Sequence, residues 1–418
     1  MQSLRNKAYQ TLRGSESFFK TDMVYLAKGG SWIAFGQIAT SVISLLLIIA
    51  FANLLPKETY GLYRYVFSLA AVLNVFALTG MNNAVARAVA TGEEGSLRTS
   101  VRYQFKWNLM MLLAFWTLAG YYFINGNSLL ATSLFILGIF TPSTLALNTY
   151  GAYLEGKREF RLANISSVVS TLIYGAGVLV AILLSGEVIW LIAAYSITTF
   201  ASTLFFYIFI LRKFKPPVTT ARDTLKYGRE LTFIGFIGPI ASQIDKITIT
   251  HFWGPAQLAV YSLAMAVPER ASILIKNWVG LGAPKFATKT PEEINTVFYK
   301  RIAQGLSVGA VFTVLYILIS PYLFKYLLPQ YMEGVFYSQI LAINFTFAMP
   351  NRYISLLFES QKLSRLIFQK SILQNIILIL LYIVLGIWGG VLGFIFAQVL
   401  NSIFSLLIGM FMWRQRHI

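Results

Sequence analysis

The chain has 418 residues, 57% of them hydrophobic and only 12% charged, with no cysteine and two histidines. Soluble domains carry about twice that charge fraction, so a soluble globular protein is excluded, and the missing residues exclude disulfides, thiolate nucleophiles and Cys- or His-based metal sites. The net charge of +18 fits basic loops flanking membrane spans on their cytoplasmic side better than a nucleic-acid surface.

Residues 1–23 are polar and basic, with Arg5, Lys7, Arg13 and Lys20. They hold no apolar run and no small-residue cleavage site, so no signal peptide is expected before the first span. Apolar runs long enough to cross ~30 Å of hydrocarbon follow at about 24–52, 60–90, 103–124, 128–154, 162–184 and 188–211. Six more lie at about 228–253, 257–283, 299–319, 335–359, 364–387 and 390–413. The prediction is an all-α integral membrane protein with twelve transmembrane helices. Residues 1–23 form a cytoplasmic N-terminal segment and 24–211 an N-lobe of helices one to six. The basic, Pro216-Pro217-containing stretch 212–227 is a cytoplasmic linker. Residues 228–418 form a C-lobe of helices seven to twelve with a short cytoplasmic tail.

Charge sorts the connections into two kinds. With the N-terminus inside, 27 of the 34 Lys and Arg fall on the inner side, against Lys57 and Lys325 outside. That bias places both termini in the cytoplasm, as an even number of helices requires. The outer connections are too brief to house a folded domain. No GxxxxGK[ST] loop occurs, so direct ATP use is not expected.

Two landmarks repeat. FANLLPKETYGLYRYVFSLAAVLNVFALTGMNNAVARAVA (51–90) has a weaker copy in HFWGPAQLAVYSLAMAVPERASILIKNWVGLGAPKFA (251–287), with Tyr63 over Tyr261 and Gly61 over Ala259. YLEGKREFRLANIS from Tyr153 is echoed by LFESQKLSRLIFQKS from Leu357, with Glu155 over Glu359. Six helices per half make both halves enter the membrane in the same sense. A pseudo-two-fold axis along the membrane normal, with a cavity between the halves, follows; that is a transporter architecture, open also to a channel or an enzyme.

LLPKETYGLYRYVFSLAAVLNVFALTGMNNAVARAVA resembles the N-terminal hallmark of the polysaccharide-transport branch of the MOP (multidrug/oligosaccharidyl-lipid/polysaccharide) flippases, as does LEGKREFRLANI after helix four. QIDKITITHFWGPAQLAVYSLA from Gln243 is similar to the family's helix seven–eight signature, and LLPQYMEGVFYSQILAI from Leu327 to its entry into helix ten. Twelve helices fit the Wzx-type O-antigen flippases. The resemblance implies a MOP/MATE-like fold in the cytoplasmic (inner) membrane. It implies transport of undecaprenyl-diphosphate-linked oligosaccharide from the inner to the outer leaflet. Membrane lipids, and the polysaccharide polymerase and chain-length proteins of the same pathway, are the expected partners. No cofactor is expected; a proton or sodium gradient is the default coupling.

Ionisable residues inside the spans are Arg64, Asp245, Lys246, Glu269, Arg270, Lys276 and Arg352. A charge at a helix centre costs roughly 2.5–3.5 kcal/mol even on the lenient insertion scale, so most should face a cavity or a partner. Five of the seven are cationic, and a cationic water-filled interior suits a diphosphate. Arg352, with no acid within a turn, is the foremost diphosphate contact, followed by Arg270, Lys246, Arg64 and Lys276. Asp245 and Glu269 are either coupling acids or partners in the ion pairs Asp245–Arg270 and Lys246–Glu269. Lys276 and Arg64 lie near span ends, where snorkelling is open to them. Pro142, Pro239, Pro268 and Pro350 invite kinks. Two other classes stay open: a MATE-like ion-coupled exporter of small molecules, and a membrane-embedded glycan polymerase or transferase. The second would need paired acids on an outer loop, where only the scattered Glu58, Glu187 and Glu333 occur.

Overall fold

The computed structural model describes residues 23–218, 222–280, 291–361 and 363–415. The N-terminal segment lies outside the described residues except for Met23, as do three positions of the linker and the side chain of Lys276. All regular structure among the described residues is helical. The first half comprises α1 (Met23–Leu54), α2 (Lys57–Leu73), α3 (Met81–Ala90), α4 (Ser96–Trp107), α5 (Leu109–Ile124), α6 (Ser128–Leu147), α7 (Thr149–Gly156), α8 (Phe160–Leu184) and α9 (Val188–Phe214). The second comprises α10 (Arg222–Ile234), α11 (Ile237–Ala241), α12 (Ile244–Gly280), α13 (Pro291–Leu327), α14 (Gly334–Ala342), α15 (Asn344–Ser360) and α16 (Ser364–Gln415). Helix is what a chain in hydrocarbon must adopt, because each backbone N–H and C=O then finds its partner within the segment. The large exposed side chains, such as Leu113, Phe123, Leu183, Leu318 and Trp388, are those of a lipid-facing surface.

Among the described residues, seven helices are long and apolar enough to cross a membrane, and eight if α2 and α3 are taken as one bent span. The expected twelve adds three segments, at about 228–253, 257–283 and 335–359, and divides α16 near Gly390. Both long helices do turn back at a glycine. Gly254 (φ 81°) and Gly390 (φ 57°) sit in the left-handed region, where a Cβ is disfavoured. Asp245 and Tyr261 share a hydrogen bond, although sixteen residues of straight helix would part them by ~24 Å. A Cβ at Gly386 would lie 2.5 Å from the Phe394 ring, which only a hairpin allows.

The expected single helix over 60–90 is instead broken, with a 58° bend between Phe76 and Met81. The cause is a neighbour from the other half. Gly80 donates its N–H to Thr232 Oγ1 at 3.0 Å, and a Cβ at Gly80 would meet the Thr232 backbone nitrogen at 2.6 Å. At a second break, Asn108 donates its side-chain amide to the Pro142 carbonyl of α6 at 2.8 Å.

The halves join through the repeated landmark itself. α2 lies along the part of α12 after Gly254, so the helices equated by the repeat face each other, as elements near a two-fold axis must. A Cβ at Gly61 would overlap the Pro255 carbonyl, 1.7 Å away. Small residues permitting such approach drive helix association in lipid, where hydrophobicity does not distinguish protein from solvent. Around it, Phe51, Tyr60, Tyr63 and Val66 pack with Ala259, Val260, Phe324 and Tyr331. Lys57 Nζ pairs with Glu333 Oε1 at 2.6 Å, and Asn53 Nδ2 donates to the Leu327 carbonyl at 2.9 Å. The charge-poor face is therefore closed across both halves.

Candidate functional site

Asp245 sits on α12, nine residues before the Gly254 turn, and is 1% exposed. Its Oδ2 accepts from Tyr261 Oη at 2.5 Å, Gln398 Nε2 at 3.2 Å and Tyr382 Oη at 3.4 Å. Its Oδ1 accepts from the Lys246 backbone N–H at 2.8 Å. The geometry follows from counting along the two hairpins. Tyr261 lies seven residues past Gly254; Tyr382 and Gln398 each lie eight from Gly390. At ~1.5 Å per residue all four stand roughly 10–14 Å below the charge-poor face. A carboxylate with neutral donors on every side is held without a cation.

The ion pairs considered from sequence are not formed: among the described residues, no ion pair includes Asp245, Lys246, Glu269 or Arg270. Arg270 is sixteen residues past the turn, seven more than Asp245 is before it, which puts them ~10 Å apart in depth. Lys246 Nζ turns instead to the Ser242 carbonyl at 3.3 Å and Gln243 Oε1 at 3.1 Å.

Asp245, Lys246 and Glu269 line a cavity of ≈ 500 Å³ with Tyr382, Gln398 and Asn401. Through the shared walls Ser272, Asn344 and Ser402 it continues into a second cavity of ≈ 290 Å³ toward the charge-rich face. Both are lined by the second half alone. The charges are divided between the chambers: two acids and one lysine line the first, Arg352 and Lys370 the second.

Arg352 faces that second chamber but is not unpaired. Its Nη1 donates to Glu359 Oε1 at 2.9 Å, seven residues on. Two helical turns restore the same face, a spacing that inspection of a single turn misses. Arg64 is partly buried, its Nε without a hydrogen-bond partner. Lys276 falls outside the described side chains. Sequence reasoning missed Tyr261, Tyr382 and Gln398 because they are neutral, and Lys370 because it was counted with the basic loop. Equal distance from the two glycine turns was the available signal for the first three.

Two helical halves closed on one face, with a polar interior reaching toward the other, make a multi-pass, all-helical membrane fold. The fold is shared with an inward-facing multidrug resistance MATE family transporter of the MOP superfamily, at TM-score 0.65 and 14% identity over 90% of this chain and 94% of that one. An outward-facing structure of such a transporter gives 0.64 and 14% over 93% and 95%. A MATE structure in complex with MaD5 gives 0.60 and 16% over 91% and 92%. The model of the polysaccharide biosynthesis protein family matches residues 26–279, and the chain belongs to that family. No curated protein matches it.

Proposed function

We propose that this chain is a flippase carrying undecaprenyl-diphosphate-linked oligosaccharide from the inner to the outer leaflet of the cytoplasmic membrane, with both termini cytoplasmic. The observation that carries the reading is a polysaccharide-biosynthesis sequence on an alternating-access transporter fold. The hydrophilic head of such a lipid cannot cross hydrocarbon unaided, and two halves that part on alternate faces give it a wet route. The polar chambers supply donors for sugar hydroxyls, and Arg64, Lys246, Arg270 and Arg352 supply charge for the diphosphate; Lys276 completes that set. The prenyl tail stays in lipid. O-antigen or a similar glycan is the cargo class, and the pathway's polymerase and chain-length proteins are the partners.

Asp245 is the residue we assign to coupling, with Glu269 beside it in the same cavity. A buried carboxylate held by hydroxyl and amide donors, rather than by a fixed cation, keeps a charge that a coupling cation would neutralise. The decisive experiment reconstitutes the protein in vesicles with labelled prenyl-diphosphate oligosaccharide and follows leaflet exchange, with and without a proton or sodium gradient. Protein-dependent exchange supports the reading. Failure to exchange that lipid, together with efflux of a small cation such as ethidium, would replace it with the MATE-like exporter.

A further inference from the structure

We propose that the chamber around Lys370 is a binding site for a phosphoryl oxyanion. Lys370 lies six residues into α16, where a lysine ordinarily snorkels to the interface. Here its side chain turns inward and is 6% exposed. Its stem passes Gly409, where a Cβ would stand 3.4 Å from Lys370 Cε, and its ammonium faces the ≈ 290 Å³ chamber between α15 and α16. Among the described residues no hydrogen bond or ion pair reaches it, and no carboxylate lines the chamber.

A buried cation without a counterion is costly, and proteins retain one where a ligand supplies the missing charge. The rest of the lining matches that ligand. Arg352 spends one described hydrogen bond on Glu359, leaving most of its five donors at the chamber. Gln374, Ser355 and Asn344 add neutral polar groups. The side-chain oxygens of Asn344 and Asn351 are buried without a protein partner, so water enters with the anion and satisfies them. At ~30 Å³ per water, the chamber has room for about ten, enough for a phosphate or diphosphate and part of its hydration. An ammonium beside a partly committed guanidinium suits the divalent oxyanion better than a carboxylate ligand, since both donors then reach separate oxygens. The inference rests on the flippase reading, since Arg352 is among the diphosphate contacts proposed above, but binding in detergent needs no glycan and no leaflet exchange, so the two can fail separately.

The test uses the full-length protein in detergent, with inorganic pyrophosphate, farnesyl diphosphate and farnesol as probes, read by calorimetric binding and by thermal midpoint. Wild type should bind a diphosphate and gain thermal stability from it, but gain none from farnesol. Response to pyrophosphate itself assigns the site to free phosphate chemistry; response to farnesyl diphosphate alone assigns it to a lipid head group. Lys370→Met should weaken binding by about tenfold or more, the worth of a charged hydrogen bond. Its own melting point should rise or hold, because an unpaired buried charge has become apolar. Lys370→Arg should retain the response. The proposal is overturned if wild type binds neither diphosphate, or if Lys370→Met binds as tightly as wild type. A Met variant that melts earlier yet keeps its diphosphate response would show a packing role instead and likewise overturn it.

Discussion

Asp245 draws its stability from side-chain donors on three other positions and the Lys246 backbone N–H, and those side-chain donors should therefore be energetically coupled to it. The Tyr261 hydroxyl bond to a carboxylate is worth ~1.5–3 kcal/mol, so Tyr261→Phe should lower the thermal midpoint in detergent. Asp245→Asn removes the charge that makes the bond strong, and Tyr261→Phe in that background should cost less. Additive losses would show that the two groups do not interact as described. In vesicles, Asp245→Asn should sever exchange from the ion gradient while protein levels hold; gradient dependence as in wild type would remove Asp245 from coupling. On the charge-rich side, Glu94 lies below the usual carboxylate range because Lys157 Nζ hydrogen-bonds it at 2.7 Å. Partial burial opposes that shift, and the Tyr153 hydroxyl at 3.0 Å reinforces it. A carboxyl depressed in this way stabilises the fold above its unfolded pKa of ~4.3, and loses that contribution as pH falls through the folded value. Lys157→Met should accordingly destabilise at neutral pH, by an increment that shrinks as the solution is acidified below about pH 4. An increment constant with pH would place the effect in packing against Tyr153 and Phe214, whose rings Lys157 also covers.

At the level of elements, the two glycine hairpins and the α2–α12 contact organise the chain. Gly61 has no room for a side chain, its missing Cβ overlapping the Pro255 carbonyl. Gly61→Leu should force the halves apart on the charge-poor face while leaving each half folded. Labelling of a cysteine placed at Tyr60, 3% exposed in the wild type, should then speed up by about tenfold or more, the signature of a closed population shifted by over a kcal/mol; unchanged labelling would mean the contact yields elsewhere. The native chain has no cysteine, so the introduced thiol reports alone. Helix positions were legible in the sequence because apolar runs in lipid admit one backbone solution. The breaks were less so: the bend before Met81 exists because Thr232, 152 residues away, receives the Gly80 N–H, and no local pattern announces it. Lys370 was hidden for the opposite reason. It stands near the start of the span at 364–387, beside the basic Lys362 and Arg365, where a lysine is expected to reach the interface, and its stem packs by Gly409 instead. The charged residues of the site were visible, whereas Tyr261, Tyr382 and Gln398 were unremarkable members of apolar helices until the hairpins set them at one depth.

For the whole molecule, closure on the charge-poor face is the feature a transporter must undo. The seal combines a packed aromatic layer, the Gly61–Pro255 approach and the Lys57–Glu333 pair. The last is solvent-accessible, with side chains 32% and 52% exposed, and such pairs contribute only ~0–1 kcal/mol. It therefore marks the closed state rather than enforcing it, and Lys57→Gln should leave exchange within about twofold of wild type, in keeping with that small energy. A covalent link at the same place is a different matter. Cysteines at Lys57 and Glu333, joined by a reducible bifunctional thiol reagent, tie α2 to the segment entering α14 across the two halves. If lipid passes only when these halves part, the joined protein should stop exchanging it, and reduction should restore the rate. Either cysteine alone, treated with the same reagent, should remain active. Full exchange by a quantitatively joined protein would mean that cargo leaves without separation at this face, and the closed seal would then be a static buttress rather than one of two alternating gates.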